Sequence, residues 1–112
     1  EPADLRERQK LDLASVARAY TYSSPPPRGF LTLVSDGARL VGAYAAGPEA
    51  GEWLQQATLA IRAEVPLAVL MDTIQPFPTL SEIYLKALQE LGARCPDCLT
   101  AAQTPYGATL GA

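Results

Sequence analysis

The 112-residue sequence predicts a single α+β domain, an antiparallel β-sheet with helices packed on one face. Two short segments, Phe30 to Val34 and Leu40 to Ala46, have the character of strands, and Asp36-Gly37 between them is a strong turn signal. The segments that follow repeat their apolar residues at helical spacing. Because strands come first and helices second, we expect the helices to cover one side of a sheet built around this hairpin.

The residues before the hairpin carry weaker signals. Pro2 to Lys10 is charged and rich in Ala, Leu, Glu and Arg, which predicts a helical turn or two, whereas Val16 to Tyr22 is weakly strand-like. Ser23 to Arg28 contains three consecutive prolines, which have no N–H to give to a sheet. We therefore expect a stiff polyproline connector there, in preference to an SH3-type ligand motif.

Three helical segments are predicted after the hairpin. The first opens with Pro48 as its first residue. Pro66 precedes a shorter second helix, after which Pro76 and Pro78 hold the chain extended. The last helix has a continuous apolar stripe, and Gly92 suits its C-terminal stop. The stripes of the first and last helices are Ala50, Trp53, Leu54, Ala57, Ala60 and Ile61, and Leu80, Ile83, Tyr84, Ala87, Leu88 and Leu91.

Composition restricts the classes of function. With 48% hydrophobic and 19% charged residues, the chain is ordinary globular material rather than a disordered segment. A net charge of −3 without a Lys/Arg cluster argues against nucleic acid and membranes as partners, and no apolar run reaches the roughly 18 residues that span a bilayer. Two cysteines do not make a disulfide-rich framework, so we expect a cytoplasmic protein with reduced thiols. The start at Glu1 fits a fragment of a longer chain, or a processed product.

Two motifs carry the functional interpretation. The first is Phe77-Pro78-Thr79-Leu80-Ser81-Glu82, and the second is the turn Gly47-Pro48-Glu49-Ala50-Gly51-Glu52, which lies between a strand and an Ala-rich helix. Together they resemble the pyridine nucleotide-disulfide oxidoreductases, which carry a His-Pro-Thr-x-x-Glu motif and, upstream of it, a Gly-x-x-Ala-x-Glu turn. The residues that match the first motif are Pro78, Thr79 and Glu82, and Phe77 stands in the place of the histidine.

The resemblance implies a C-terminal dimerisation domain of an FAD-dependent oxidoreductase. It covers residues 5–91, so we assign residues 1–92 to this domain and residues 93–112 to a tail. In the family the protein is a homodimer, and this domain completes the active site of the other subunit, while N-terminal domains of the same protein bind FAD and NAD(P). The residues expected at the interface are Trp53, Ala57, Ile61, Phe77, Pro78 and Thr79. Trp53 is the leading candidate, because an Ala-rich helix can approach a partner closely.

The fragment alone is expected to be inactive. It has no Gly-x-Gly-x-x-Gly after a strand, so it should bind neither FAD nor NAD(P). The family motif also implies a cis peptide bond between Phe77 and Pro78, a conformation that is common only before proline. A different class remains open: a stand-alone α+β module that binds a ligand or a protein. The coding sequence upstream of Glu1 would distinguish the two.

Glu82 and Phe77 determine whether this motif can do acid–base chemistry. By its spacing, Thr79-Leu80-Ser81-Glu82 is a capping box, and we favour this interpretation. The resemblance offers another, in which the glutamate orients the motif histidine, but a phenyl ring at position 77 cannot carry a proton. Mercuric-reductase-like members also have an aromatic residue there, so the chain is nearer to that branch. Phe77 is equally compatible with a simple apolar plug at the interface.

Cys95 and Cys98 form a single Cys-x-x-Cys after the last helix. A zinc ion prefers four ligands, and one chain offers two thiolates and no histidine, so no metal site is predicted within one chain. A dithiol in the tail is the favoured interpretation. The alternatives are a redox or metal relay to the partner's active site, which the resemblance to mercuric reductases suggests, and a zinc site shared by two chains.

Overall fold

The computed structural model describes residues 7–93, and their antiparallel sheet confirms the predicted α+β class. Its three strands lie in the order β1-β2-β3. They are β1 (Glu7–Asp12), β2 (Phe30–Ser35) and β3 (Leu40–Ala46). The predicted hairpin is formed by β2 and β3, with Phe30 opposite Ala46 and the register shifted after Val34. β2 is therefore the central strand and is buried along almost its whole length.

The hairpin turn is closed by the side chain of Asp36. Its Oδ1 accepts hydrogen bonds from the backbone N–H groups of Ala38 (2.9 Å) and Arg39 (3.0 Å). These bonds favour the charged carboxylate and lower the pKa of Asp36 below its ordinary value. These two bonds therefore contribute fully to stability when the pH is above the ordinary pKa of a carboxylate. Their contribution is lost as the pH falls through the lowered pKa of Asp36. Gly37 has a φ of +98°, which a glycine adopts without strain.

Two helices that follow the hairpin in the chain cover one face of the sheet. Helix α3 (Gln55–Arg62) packs on β3, and α5 (Ile83–Ala93) packs on β1 and β2. Leu31 and Leu33 of β2 point into the same apolar core as the helices, and both are fully buried. The helices are α1 (Ala17–Tyr22), α2 (Ala50–Trp53), α3 (Gln55–Arg62), α4 (Leu67–Met71) and α5 (Ile83–Ala93), with 3₁₀ turns at Leu13–Ser15 and Leu80–Glu82.

Two predictions for the first part of the chain are wrong. Glu7–Asp12 forms a strand where Pro2 to Lys10 was expected to be helical, because β2 supplies an edge with which all six residues pair. Its side chains alternate between half-buried and exposed, as expected for a strand with one face on the core. Val16 to Tyr22, expected to be strand-like, contains helix α1. There Val16 and Ala19, three residues apart, are both buried.

The helix after the hairpin differs from the prediction in its start and its continuity. Pro48 is not its first residue, because Glu49 adopts a left-handed conformation (φ 56°) and α2 begins only at Ala50. The predicted single helix is divided at Leu54 into α2 and α3. Gly92 was expected to end the last helix but lies inside α5, which extends to Ala93.

Within residues 7–93, none of the helices combines the length and apolar character that a membrane crossing would need.

Among the described residues, Tyr84 is the largest fully buried side chain, and it connects α5 to α2. It is 1% exposed, and its hydroxyl donates a hydrogen bond of 2.7 Å to the backbone oxygen of Trp53, the last residue of α2. Burial disfavours the charged phenolate and raises the pKa of Tyr84 from 10.0 to about 12. The native state therefore needs the neutral phenol.

The first prediction concerns Tyr84 in alkaline solution. Since the pKa is raised by folding, the stabilisation is fully present below pH 10 and is lost as the pH rises toward 12. Tyr84→Phe should cost about 1 kcal/mol at neutral pH through the lost hydrogen bond. It should also make the free energy of unfolding fall less steeply as the pH rises from 10 toward 12. Urea unfolding at a series of pH values measures both effects. The matched control is Tyr44→Phe, at a 51% exposed position, and an alkaline slope in Tyr84→Phe equal to that of wild type would contradict the prediction.

Candidate functional site

The segment with the motif connects α4 to α5 and lies at the surface. Its Phe77–Pro78 peptide bond is cis, which confirms the expectation from the motif. The Phe77 ring is 74% exposed, and Ile74 in the same segment is 87% exposed. Two large apolar side chains in one short segment are thus left in contact with solvent.

Glu82 closes the end of this segment as a cap, and the favoured interpretation from the sequence is confirmed. Its Oε1 accepts a hydrogen bond of 3.3 Å from the N–H of Thr79, and the two residues form a capping box. The Thr79 hydroxyl also donates to the backbone oxygen of Pro76 (2.6 Å). The pair therefore fixes the chain direction just before the 3₁₀ turn and α5.

The structure offers no proton carrier at position 77. The chain has no histidine, and the Glu82 carboxylate is directed at a backbone N–H instead of an imidazole. Among residues 7–93 there is no cluster of three or more His, Cys, Asp or Glu side chains that could hold a metal. Cys95 and Cys98 lie outside the described residues. The described part of the motif thus presents backbone and apolar side chains, with its one carboxylate, Glu82, bonded to the Thr79 N–H.

Two of the predicted interface residues lie in the core of the domain. Trp53 is 5% exposed and Ala57 is fully buried, although Trp53 also lines the cleft beside Pro78 and Thr79. The reason is that the apolar stripe of this helix faces the sheet, and Trp53 also donates a hydrogen bond from Nε1 to the Pro48 oxygen (2.9 Å). Ile61 is half-buried, whereas Phe77 and Pro78 are exposed and Thr79 is half-buried. Of the six predicted interface residues, the exposed ones are therefore Phe77 and Pro78.

Leu59 is the surface residue that the sequence analysis missed. It is apolar but lies outside the helical stripe, and it is 63% exposed on α3. An apolar residue out of phase with the buried stripe of a helix must face outward, so the sequence did contain the signal.

Leu59 and Ile74 line one shallow groove between α3, α4 and the motif segment. Its volume is about 370 Å³, and its wall also includes Val69, Gln75 and Pro76. We call this the apolar groove; Phe77 follows directly on its Pro76 wall. A smaller cleft of about 260 Å³ lies on the other side of the motif, where Pro78 and Thr79 meet charged side chains. These are Arg18, Glu49 and Glu52.

Comparisons with known proteins agree with the motif. Residues 6–88 match the family model described as pyridine nucleotide-disulphide oxidoreductase, dimerisation domain. The chain is 34% identical over 84 residues to a dihydrolipoyl dehydrogenase of Thermus scotoductus. The matched stretch covers 73% of this chain and 18% of that protein. It is 40% identical over 58 residues to a dihydrolipoyl dehydrogenase of Chlamydia pneumoniae, 50% of this chain and 13% of the relative. It is 44% identical over 57 residues to a mercuric reductase of Shigella flexneri, 49% of this chain and 10% of the relative. The chain thus spans less than a fifth of the length of these relatives.

The second prediction separates the capping role of Glu82 from a role of its charge. Glu82→Ala removes the acceptor for the Thr79 N–H and should lower the free energy of unfolding by about 1 kcal/mol. Glu82→Gln keeps a side-chain oxygen in the same place and should lie close to wild type. Chemical denaturation at neutral pH measures both, with the exposed Glu52→Ala as a control on another helical first turn. Equal destabilisation by Gln and Ala at position 82 would show that charge, and not the cap, is what matters.

Proposed function

The chain belongs to the dimerisation-domain family of the pyridine nucleotide-disulphide oxidoreductases, and from this premise we propose that it associates with a second copy of itself through the apolar groove and Phe77. The observation that carries the proposal is the exposure of Leu59, Ile74 and Phe77, at 63%, 87% and 74%. Large exposed apolar side chains gathered in one region mark interaction sites. Burial of each is worth roughly 1.5–3 kcal/mol.

A second copy is the partner that suits this surface best. Most homo-oligomers are two-fold dimers, in which the same patch on each subunit meets itself. The apolar groove offers both halves of such a contact, since it is a concave surface bordered by protruding Leu59 and Ile74. The relevant face is therefore on α3, α4 and the motif segment, rather than on the stripe that contains Trp53.

In the complete protein we propose that this domain, residues 1–92, completes the active site of the partner subunit. FAD and NAD(P) would be bound by N-terminal domains of the same protein, which would be further partners of this one. The parent enzyme would transfer hydride from the nicotinamide to FAD and then electrons to an acceptor. With phenylalanine at position 77, the contribution of this chain is geometric: the segment from Gln75 to Thr79 shapes and closes the site but moves no proton there.

The proposal also covers the two cysteines of the tail and the cellular compartment. We propose that Cys95 and Cys98, in residues 93–112, are a pair of reduced thiols; the alternative is a redox or metal relay in the parent enzyme. Reduced thiols fit a cytoplasmic location. Thiol-reagent titration of the folded protein, with Cys95→Ser and Cys98→Ser, tests their accessibility. Burial of both would oppose a relay.

The third prediction is self-association through the apolar groove and Phe77. Sedimentation equilibrium of the chain at micromolar concentrations should show a dimer. Leu59→Ser and Phe77→Ser should each weaken it at least about tenfold, since each removes apolar surface worth more than 1.4 kcal/mol. Tyr20→Ser is the matched control, because Tyr20 is 59% exposed but lies on α1. A wild-type chain that stays monomeric at hundreds of micromolar, or a control that weakens the dimer as much, would count against the proposal.

The fourth prediction concerns the cofactor. The chain on its own should purify without FAD, because it contains no phosphate-binding glycine motif. The flavin absorption bands of the purified chain, measured after incubation with excess FAD and gel filtration, check this. Stoichiometric retention of flavin would contradict the assignment of cofactor binding to other domains.

A further inference from the structure

The exposed motif segment has one tether in its middle. Of residues 72–78, all are exposed except Gln75, which is half-buried. Within the described chain, the backbone hydrogen bonds of α4 end with the Thr73 N–H donating to the Leu70 oxygen (3.1 Å), and those of the next helical turn begin at Thr79. Between them the backbone has no helical hydrogen bonds; the Pro76 oxygen accepts a bond from the Thr79 hydroxyl (2.6 Å), and Gln75 is the one residue withdrawn from solvent.

The tether is a reciprocal pair of side-chain amides. Gln75 Nε2 donates to Gln56 Oε1 over 2.7 Å, and Gln56 Nε2 donates to Gln75 Oε1 over 3.2 Å. The two residues are 19 positions apart, and Gln56 belongs to α3. Each amide carries a donor and an acceptor in one plane, so the two groups satisfy each other in a single geometry. The pair therefore joins the middle of the exposed segment to a helix of the core.

We propose that the Gln56–Gln75 amide pair positions the segment that presents Ile74 and Phe77, and that it thereby promotes association with a second copy of the chain. This inference rests on the proposed function. Both glutamines line the apolar groove, so the pair holds the segment at the edge of the surface that would meet the partner. A segment that is ordered before binding loses less conformational freedom on association, which strengthens binding without a new contact. The glutamines act as positioning residues.

A surface hydrogen bond without consequence is the competing explanation. Exposed polar pairs often contribute little, because water competes for the same groups. The geometry here differs in that two bonds form at once, in a half-buried place, and no other side chain of residues 74–78 is withdrawn from solvent. If the pair is inconsequential, the segment should be equally mobile without it.

The test measures order in the monomer and association separately. NMR order parameters of the Phe77 backbone N–H and the Ile74 δ methyl group report the mobility of the segment in dilute samples. Sedimentation equilibrium reports the dimer. The variants are Gln56→Ala, Gln75→Ala, and Gln75→Met, which keeps the bulk of the side chain and removes both bonds. Gln56→Lys combined with Gln75→Glu replaces the amide pair by an ion pair. Gln55→Ala is the matched control, since Gln55 is the exposed neighbour of Gln56 on the same helix.

We expect the Phe77 order parameter to fall from about 0.85 in wild type to below about 0.6 in the three single variants at positions 56 and 75. The dimer should weaken roughly fivefold in each, the equivalent of one hydrogen bond. The Gln56→Ala, Gln75→Ala double variant should be no weaker than either single variant, because one bridge is lost in all three. The Lys/Glu pair should restore order and association, and Gln55→Ala should change neither.

The outcomes separate this inference from the proposed function. Unchanged order parameters at positions 74 and 77 in Gln75→Met would overturn the positioning role, even if the dimer weakens. A wild-type dimer that is unaffected by all three single variants would overturn the link to association. A wild-type chain that remains monomeric would defeat the proposed function. The order parameters would then still decide whether the pair holds the segment.

Discussion

The buried hydroxyl of Tyr84 is the interaction on which the arrangement of the site depends. Its 2.7 Å bond to the Trp53 oxygen connects the first turn of α5 to the junction between α2 and α3. Because both groups are removed from water, loss of either partner would leave a buried polar atom unpaired. The bond therefore fixes where α5 starts relative to α3. The motif segment leads from α4 to α5, and the groove beside it is lined by residues of α3 and α4.

The motif segment is fixed at its ends and tethered at its middle. α4 leads into it, the Thr79–Glu82 cap terminates it, and the Gln56–Gln75 pair joins it to α3. This explains how Ile74 and Phe77 can stay exposed without the segment collapsing onto the groove beside it. Exposure of apolar side chains to water is unfavourable. The proposed association with a second copy would bury this apolar area.

The sequence predicted the elements whose signals are local. The hairpin follows from Asp36-Gly37, and the cap from Thr79 and Glu82, three residues apart. Elements that depend on distant partners were missed. Glu7–Asp12 is a strand only because β2 lies beside it, and the start of α2 depends on the left-handed Glu49. The burial of Trp53 was not foreseen for a related reason: a helical stripe shows which residues share a face, but not whether that face meets the sheet or another subunit. The Gln56–Gln75 pair joins residues 19 positions apart, and no periodicity indicates it.

The shape of the motif segment does not depend on a histidine at position 77. Pro78, Thr79 and Glu82 shape the backbone, and here they do so through a cap that needs no imidazole. A phenyl ring at position 77 cannot carry a proton as the imidazole of a histidine can, so this side chain supplies neither an acid nor a base. Had Glu82 been held in place chiefly by that histidine, its loss would have left a carboxylate without a partner. Because the glutamate bonds to the Thr79 N–H, the cap and the direction of the segment are retained.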